Sequence, residues 1–420
     1  MVGLVLRYRT LAKLRGTYVD SLLEFAVPAE RDCGDGGQGA SGDAQRWAIH
    51  AEWNQLSVET GRLSASKPAL QCIPRDPEPI YQRDDDEEGS VRAWTGEGAS
   101  SSTSTSTSSS SSSTTSTSSS TSSTSGGGGG RGGGGSSGVQ VLNVRSAFVA
   151  SPGHTLVAVD YSQIEMRVLA HFCQDAKLSA LFRDPAGDVY VQVASSLLRK
   201  PPVEVTVRER DLAKTCCLGI IYGMGVRELA RRYKVSEHVA GRFVGSFHEA
   251  FPGVRAWAIA VKRRCHDEGF VTTIANRRRQ VPRAAPGDGA GRARAERQAV
   301  NSVVQGSASD LLKLAMVRIH QHLETPRGEG GGGGEGGEGG GGGGGAANAG
   351  AGEAAWGGAR LLLQVHDELI FDVAAQPRAI TALVAVLRDC MEREVVEVLG
   401  LRVPLAVKVS PKPWHSILGL

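Results

Sequence analysis

Three short strings, in order along 420 residues, bring together side chains able to move a nucleotidyl group. Asp160-Tyr-Ser-Gln-Ile-Glu165-Met-Arg167 places an acid at the end of the apolar run Leu156-Val-Ala-Val-Asp160. Gln364-Val-His366-Asp367-Glu368 places two more acids between the runs Leu361–Val365 and Leu369–Val373. Between them Arg210, Lys214, Leu218 and Tyr222 recur every four residues, which puts two cations and a ring on one helical face. Two carboxylates on separate strands can hold a pair of divalent metals, and Mg2+ takes carboxylate oxygens together with substrate phosphates. Such a pair activates an attacking hydroxyl and stabilises a leaving pyrophosphate. A triphosphate suits the cationic face, with arginine as a fork and lysine as a point charge.

Each string also has a plainer reading. A strand ending in Asp before a helix is a common N-cap arrangement. Acids are frequent in turns, and a cationic stripe is ordinarily solvated. The combination is harder to dismiss. Two acids brought to one edge of a sheet repel unless a metal neutralises them. Cys216, Cys217, Leu218, Ile220 and Ile221 make the middle helix apolar nearly all round, so its cations need an anionic partner. Arg297, Asn301 and Gln305 repeat the four-residue spacing further on. Their planar hydrogen-bonding groups suit minor-groove edges and sugars, or simply a polar face in water.

These side chains need elements to place them. Periodicity predicts strands at 156–160, 361–365, 369–373 and 403–409, with the acids of 366–368 in a tight hairpin turn. It predicts helices over 4–25, from Asp160 through His171, over most of 176–265 with a break at Pro201-Pro202, over 293–323 and over 376–399. Gly269–Val281 reads as a hairpin carrying Arg277-Arg278-Arg279, Ile49–Leu63 as a strand and turn, and 29–45 as a loop. The fold class is α+β, an antiparallel sheet with helices packed on one face. Residues 99–138 are almost all Ser, Thr and Gly, and 328–346 nearly all Gly with a few Glu. Neither has apolar surface to offset its conformational entropy, so both are expected to be disordered inserts.

The net charge is only +3, but Arg199–Arg297 holds 21 Lys and Arg against 10 Asp and Glu. A local excess of basic charge suits a polyanion such as DNA or a nucleoside triphosphate, or a solvated basic face. Asp84–Glu88 is acidic and lies in the first insert. Seven cysteines with no C-x-x-C pair point to a reducing compartment and buried thiols, not to disulfides or zinc. No apolar run is long enough to cross a membrane. Residues 1–19 carry Arg7, Arg9, Lys13 and Arg15 and no acid, like an organelle transit peptide or a helix of the fold.

The three strings resemble motifs A, B and C of family A DNA polymerases, the group of bacterial DNA polymerase I. Thr60-Gly-Arg-Leu-Ser-Ala-Ser-Lys-Pro-Ala-Leu-Gln-Cys-Ile-Pro74 resembles the stretch leading into that family's palm. Ala295-Glu-Arg-Gln-Ala-Val-Asn-Ser-Val-Val-Gln-Gly306 resembles its template-contacting helix, and Arg7–Asp20 the end of its thumb. Within the family the eukaryotic theta and nu polymerases fit best. The inserts fall where theta-like enzymes carry them, while Trp53-Asn54-Gln55 and Gln298–Ser307 lean towards nu.

The resemblance implies a right-hand polymerase with an antiparallel palm sheet, helical fingers and a truncated thumb. The end of the thumb would span 1–28, the lead into the palm 46–80, an insert 81–138, the palm with motif A 139–180 and the fingers 181–292. A palm helix (293–325), a Gly-rich insert (326–358) and the palm with motif C (359–420) would follow. It implies primer extension on a DNA template with dNTPs and two Mg2+ ions, by a monomer in the nucleus, or else in a mitochondrion or plastid, with a role in repair. No proofreading or unwinding domain is expected in this stretch.

It further implies Asp160 and Asp367 as the metal-binding pair, the Tyr161 carbonyl as a further ligand and Glu368 as an accessory acid. Glu165 would exclude ribonucleotides by crowding the sugar, backed by Tyr222. Arg210 and Lys214 would hold the triphosphate, with Gln163 and Leu218 also at the nucleotide. Arg62, Gln71, Arg297, Asn301, Gln305, Gln364 and His366 would contact the primer–template. Departures from the family pattern are Leu218 for an aromatic ring, Tyr190 for His, Ala69 and Cys72 for Asn, and Asn276 for Gly. A non-catalytic DNA-binding remnant and a metal-dependent nuclease are the rival readings.

Overall fold

The structure, a computed structural model, describes residues 2–29, 46–74, 78–79, 141–183, 187–282, 285, 287–324 and 358–411. The insert expected at 81–138 lies outside the described residues. So do all but the last residue of the insert at 326–358 and all but the first of the loop at 29–45.

Four strands make the central sheet: β1 (His154–Tyr161), β2 (Arg360–Val365), β3 (Glu368–Ala374) and β4 (Val407–Ser410). They lie in the order β2-β3-β1-β4, and every neighbouring pair is antiparallel. Val157, Val159 and Tyr161 of β1 face the main core, whereas Leu156 and Ala158 face a smaller one. A strand buried on both faces needs no polar alternation. The long helices pack on the main-core face. The other face is covered by Leu70 and Ile73, with Leu22 of the N-terminal helix, Val144 and Phe148 beside them. The last strand is shorter than the expected 403–409, since Leu401–Ala406 has no regular structure.

Helix α1 (Ile164–Cys173) follows β1 directly. The region expected to be mostly helical over 176–265 divides, after a short helix at Ala176–Leu181, into α2 (Val189–Leu198), α3 (Val207–Ile221), α4 (Val226–Tyr233), α5 (Glu237–Ala250) and α6 (Pro252–Glu268). The Pro201-Pro202 break becomes a short 3-10 turn, and Thr206 and Glu209 then start α3 with a reciprocal capping box. The Arg-rich hairpin pairs Phe270–Thr272 with Arg278–Gln280. Helix α7 (Gly289–Glu324) is 36 residues long. Helix α8 (Pro377–Arg388) runs through a π-helical turn, Asp389–Glu394, into Val395–Leu399, so the helix expected over 376–399 is regular only in part. The N-terminal stretch is helical over Val2–Leu14 and Asp20–Glu24 with a π turn between. Among the described cysteines none is in a disulfide. Cys216 and Cys217 are buried as expected, but Cys72 is exposed. No helix among the described residues is long and apolar enough to cross a membrane.

Candidate active site

Asp160 is the penultimate residue of β1 and half-buried. Its register partners are Glu368 on β3 and Lys408 on β4. The β2–β3 turn consists of His366 and Asp367, closing on the Val365–Glu368 pair. The Tyr161 amide donates to the Asp367 carbonyl at 3.4 Å, which lays the turn against the end of β1. Asp160 and Asp367 therefore come together at one end of the two central strands. The Tyr161 ring is buried and its hydroxyl donates to the Met391 carbonyl at 3.0 Å. What that residue can offer a cation is its backbone carbonyl.

His366 holds φ at 55°, a left-handed conformation that the first residue of a two-residue hairpin turn normally assigns to glycine. Gln364 Nε2 donates to the His366 carbonyl and holds the turn. Gln71 Nε2 in turn donates to Gln364 Oε1 at 2.6 Å and to its carbonyl at 3.1 Å, while Gln71 Oε1 accepts from the Ala65 amide at 3.2 Å. Gln71, Gln364 and His366 thus form one chain of hydrogen bonds from the segment before the inserts to the acidic turn.

Arg62 Nη2 donates to Glu165 Oε1 at 2.7 Å and lies 3.8 Å from Asp367 Oδ1. Burial raises the Glu165 carboxyl to about 7; Arg62 opposes the rise and Asp367 adds to it. Burial also raises the Asp367 carboxyl, against Arg62 and His366. Two acids pushed up by burial and sharing one guanidinium are short of positive charge. The donors at this end of the sheet are carboxylate and carbonyl oxygens, a hard set that fits Mg2+. Glu368 is buried and held by Arg145, whose Nη1 lies 3.5 Å from Glu368 Oε2. The same guanidinium donates to the Pro74 and Ile73 carbonyls at 3.1 and 3.3 Å.

The loop carrying Arg62 is pinned from α7 and the hairpin. Arg277 Nη2 donates to the carbonyls of Thr60 at 2.8 Å and Gly306 at 3.2 Å, and its Nε to Asp310 Oδ1 at 2.9 Å. Ser309 Oγ donates to the Gly61 carbonyl at 2.6 Å. A Cβ on Gly306 would lie 2.7 Å from Thr273 Cγ2 and 3.3 Å from the Thr60 carbonyl oxygen, so only glycine admits this approach. Asn276, a departure from the family pattern, holds φ at 58°, and asparagine tolerates that conformation better than most residues.

Arg210 sits on the second turn of α3. Its Nε donates to Asp188 Oδ2 and its Nη1 to Asp211 Oδ1, both at 2.8 Å, and its guanidinium lies 5.7 Å from the centre of the Tyr190 ring. The anionic partner that an apolar helix requires is thus supplied by the chain itself. Lys214 is exposed and needs none. Burial, then Cys217 and Glu165, push the Tyr190 phenol up, which places that ring within electrostatic reach of both Glu165 and Arg210. Leu218 and Tyr222 are half-buried. Gln163 stands just before α1 with φ at 57°, and its side chain makes no capping hydrogen bond. Arg297 packs on the turn after Tyr222, since a Cβ on Gly223 would lie 2.8 Å from Arg297 Cγ. Asn301 and Gln305 are half-buried on the same face of α7, and Asn301 Oδ1 has no hydrogen-bond partner among the described residues.

Two residues of this site, Arg145 and Asp188, were not singled out in the sequence, and Arg277 was noted only as part of the Arg-rich hairpin. Arg145 has no local signal, because its partners lie far along the chain. Asp188 does have one. An Asp directly before a helical run is a capping signature, and its Oδ1 accepts from the Tyr190 and Val191 amides at 2.8 and 3.3 Å while Oδ2 holds Arg210.

The sequence model of DNA polymerase family A matches residues 1–94 and 136–415. DNA polymerase I, thermostable, of Thermus thermophilus is 31% identical over 420 residues, covering 100% of this chain and 37% of the relative. DNA polymerase I of Chloroflexus aurantiacus is 31% identical over 417 residues, covering 99% and 32%. The POL domain of Pol1 from M. smegmatis, solved in complex with DNA primer-template and dNTP, superposes with a TM-score of 0.64 at 27% identity, over 97% of this chain and 52% of that one. The chain spans about a third of the length of these curated relatives.

Proposed function

Because the chain belongs to DNA polymerase family A, we propose that it adds deoxynucleoside monophosphates to a primer 3′ end on a DNA template, by nucleotidyl transfer at Asp160 and Asp367. The convergence of these two acids at the end of one sheet carries the reading. Their surroundings support it, since burial raises Asp367 and Glu165 where one guanidinium serves both. Asp160, Asp367 and the Tyr161 carbonyl would hold two Mg2+ ions, with Glu368 beside them. When bound, the metals supply the positive charge that activates the 3′ hydroxyl and stabilises pyrophosphate.

The chain's own residues do the rest. Arg210 and Lys214 bind the triphosphate, and Asp188 aims the Arg210 fork. Gln163 and Leu218 border the nucleotide. Glu165, backed by Tyr222, fills the space beside the sugar 2′ position. Arg62, Gln71, Gln364 and His366 meet the primer terminus, and Arg297, Asn301 and Gln305 the duplex. In this reading the central sheet with α1 and α7 is the palm, α2–α6 the fingers and the N-terminal helix the end of the thumb. The likeness to the theta and nu group, a repair role and a nuclear location belong to the same proposal. They rest on insert positions and local motifs, whereas the relatives named above are bacterial.

Primer extension with Mg2+ and dNTPs is the test. Extension is the expected result. Binding without extension would point to a non-catalytic remnant, and shortening of the primer to a nuclease.

A further inference from the structure

Away from the acids, three ligand-type side chains of different chemistry meet where α7 ends. His322 comes from the last turn of α7, and Cys390 and Glu394 from the π-helical turn that follows α8. One donor atom from each lies within 4.8 Å of the other two. Cys390 and Glu394 are four residues apart in one helical run, which sets them on the same side. Cys390 is fully buried, while His322 and Glu394 are part-buried, so the cluster is partly open to solvent. His322 Nε2 and Glu394 Oε1 are 2.8 Å apart, and Glu394 Oε2 lies 3.9 Å from Arg318 Nε.

We propose that His322, Cys390 and Glu394 form a zinc site, separate from the Mg2+ centre, that staples the end of α7 to the π-helical turn. A thiolate, an imidazole and a carboxylate are the ligand types zinc takes, and a thiolate selects against Mg2+. Thiolate and carboxylate together balance the charge of one divalent cation. Zinc bonds of about 2.0–2.3 Å set tetrahedral ligands roughly 3.5 Å apart, so side-chain shifts of about an ångström suffice. Three protein ligands leave the fourth position to water.

The staple has a place in the fold. The π turn touches the catalytic strands twice: the Tyr161 hydroxyl donates to the Met391 carbonyl at 3.0 Å, and the Val407 amide to Glu392 Oε1 at 2.7 Å. Tyr161 follows Asp160, and Val407 is its register partner on β4. A metal that fixes this turn also fixes the side of β1 facing the main core.

The experiment uses the whole chain. Protein purified without chelator is analysed for zinc, then stripped and titrated with Co2+ as a spectroscopic probe. We expect bound zinc, a cobalt–thiolate charge-transfer band, and a melting temperature raised by Zn2+ but not by Mg2+. The band should vanish in Cys390→Ser and persist in Cys72→Ser, which removes an exposed thiol. His322→Gln, at a part-exposed position that need not disturb the core, should weaken zinc binding about tenfold or more. Absence of a thiolate band, or zinc binding indifferent to both Cys390→Ser and His322→Gln, overturns the proposal.

Discussion

Arg62 Nη2 and Glu165 Oε1 lie 2.7 Å apart, an ion pair between residues 103 positions apart in the chain. It ties the loop before the inserts to the first turn of α1, and the same guanidinium reaches Asp367 at 3.8 Å. The pair offsets only part of what burial imposes on Glu165, which stays raised to about 7.

A pH dependence of stability follows. Holding Glu165 from its ordinary 4.5 up to about 7 makes its ionisation in the fold cost about 3 kcal/mol. The unfolded chain releases this proton first as pH rises, so the group lowers stability progressively between about pH 4.5 and 7, with no further loss above. Melting temperatures of Glu165→Gln minus wild type should therefore climb across that window and level off. Arg62→Met removes the opposing cation and should extend the climb to higher pH. A difference independent of pH would show that Glu165 titrates normally.

Asp160→Asn or Asp367→Asn should abolish primer extension while leaving duplex affinity within a few-fold, because Lys and Arg contacts to phosphate supply most of it. Single-turnover extension and a binding titration measure the two effects. Near-wild-type extension in either variant would refute the metal assignment.

Asp188 does two things with one carboxylate, and two substitutions separate them. Asp188→Asn keeps an N-cap acceptor but loses the charge that orients Arg210. Its melting temperature should hold while KM for dNTP rises several-fold. Asp188→Ala should add a loss of about 1 kcal/mol in stability from the missing cap. Equal KM values in wild type and Asp188→Asn would mean that Arg210 needs no orienting.

Gly306→Ala should destabilise the chain by about 1–3 kcal/mol, the usual cost of overpacking, because Thr273 and the Thr60 backbone crowd the new Cβ. The Thr60–Arg62 loop would move with them. Extension should fall further than the lost stability explains, which assays well below the melting temperature can show.

Leu218→Tyr restores a ring where the family resemblance leads one to expect it. Aromatic stacking worth about 0.5–1.5 kcal/mol beyond area should tighten dNTP binding by a few-fold to about ten-fold. Weaker binding in the Tyr variant would mean that the pocket has packed around leucine.

Much of this was legible in the sequence because the signals are local. The β-branched run before Asp160, the acids between two apolar runs and the four-residue ladder from Arg210 to Tyr222 each report their own element. The three longer strands of the sheet, α3 and α7 appear where periodicity puts them, within a few residues, whereas the last strand covers only Val407–Ser410. The π-helical turn at Asp389–Glu394 left no mark, since its residues suit an α-helix equally well. Helix composition also misled on one point. Apolar neighbours along α3 implied that its cations look outward for an anion, yet Arg210 finds Asp188 and Asp211 within the chain.

By itself, then, the sequence determined which residues could do chemistry, the elements that carry them and, through motif resemblance, the family. It did so because strand and helix periods and turn residues are properties of a few consecutive positions. Only the tertiary structure decided strand order and register, hence that Asp160 faces Glu368 and Lys408 and meets Asp367 at the sheet end. It alone decided that Arg62 serves Glu165 and Asp367, that Arg145 holds Glu368 and that Arg277 pins the Arg62 loop. Those partners lie 103 to 305 positions apart, some across the inserts. What pairs them is the burial of a shared core and the need of each buried charge for a counter-charge, and neither leaves a period in the chain.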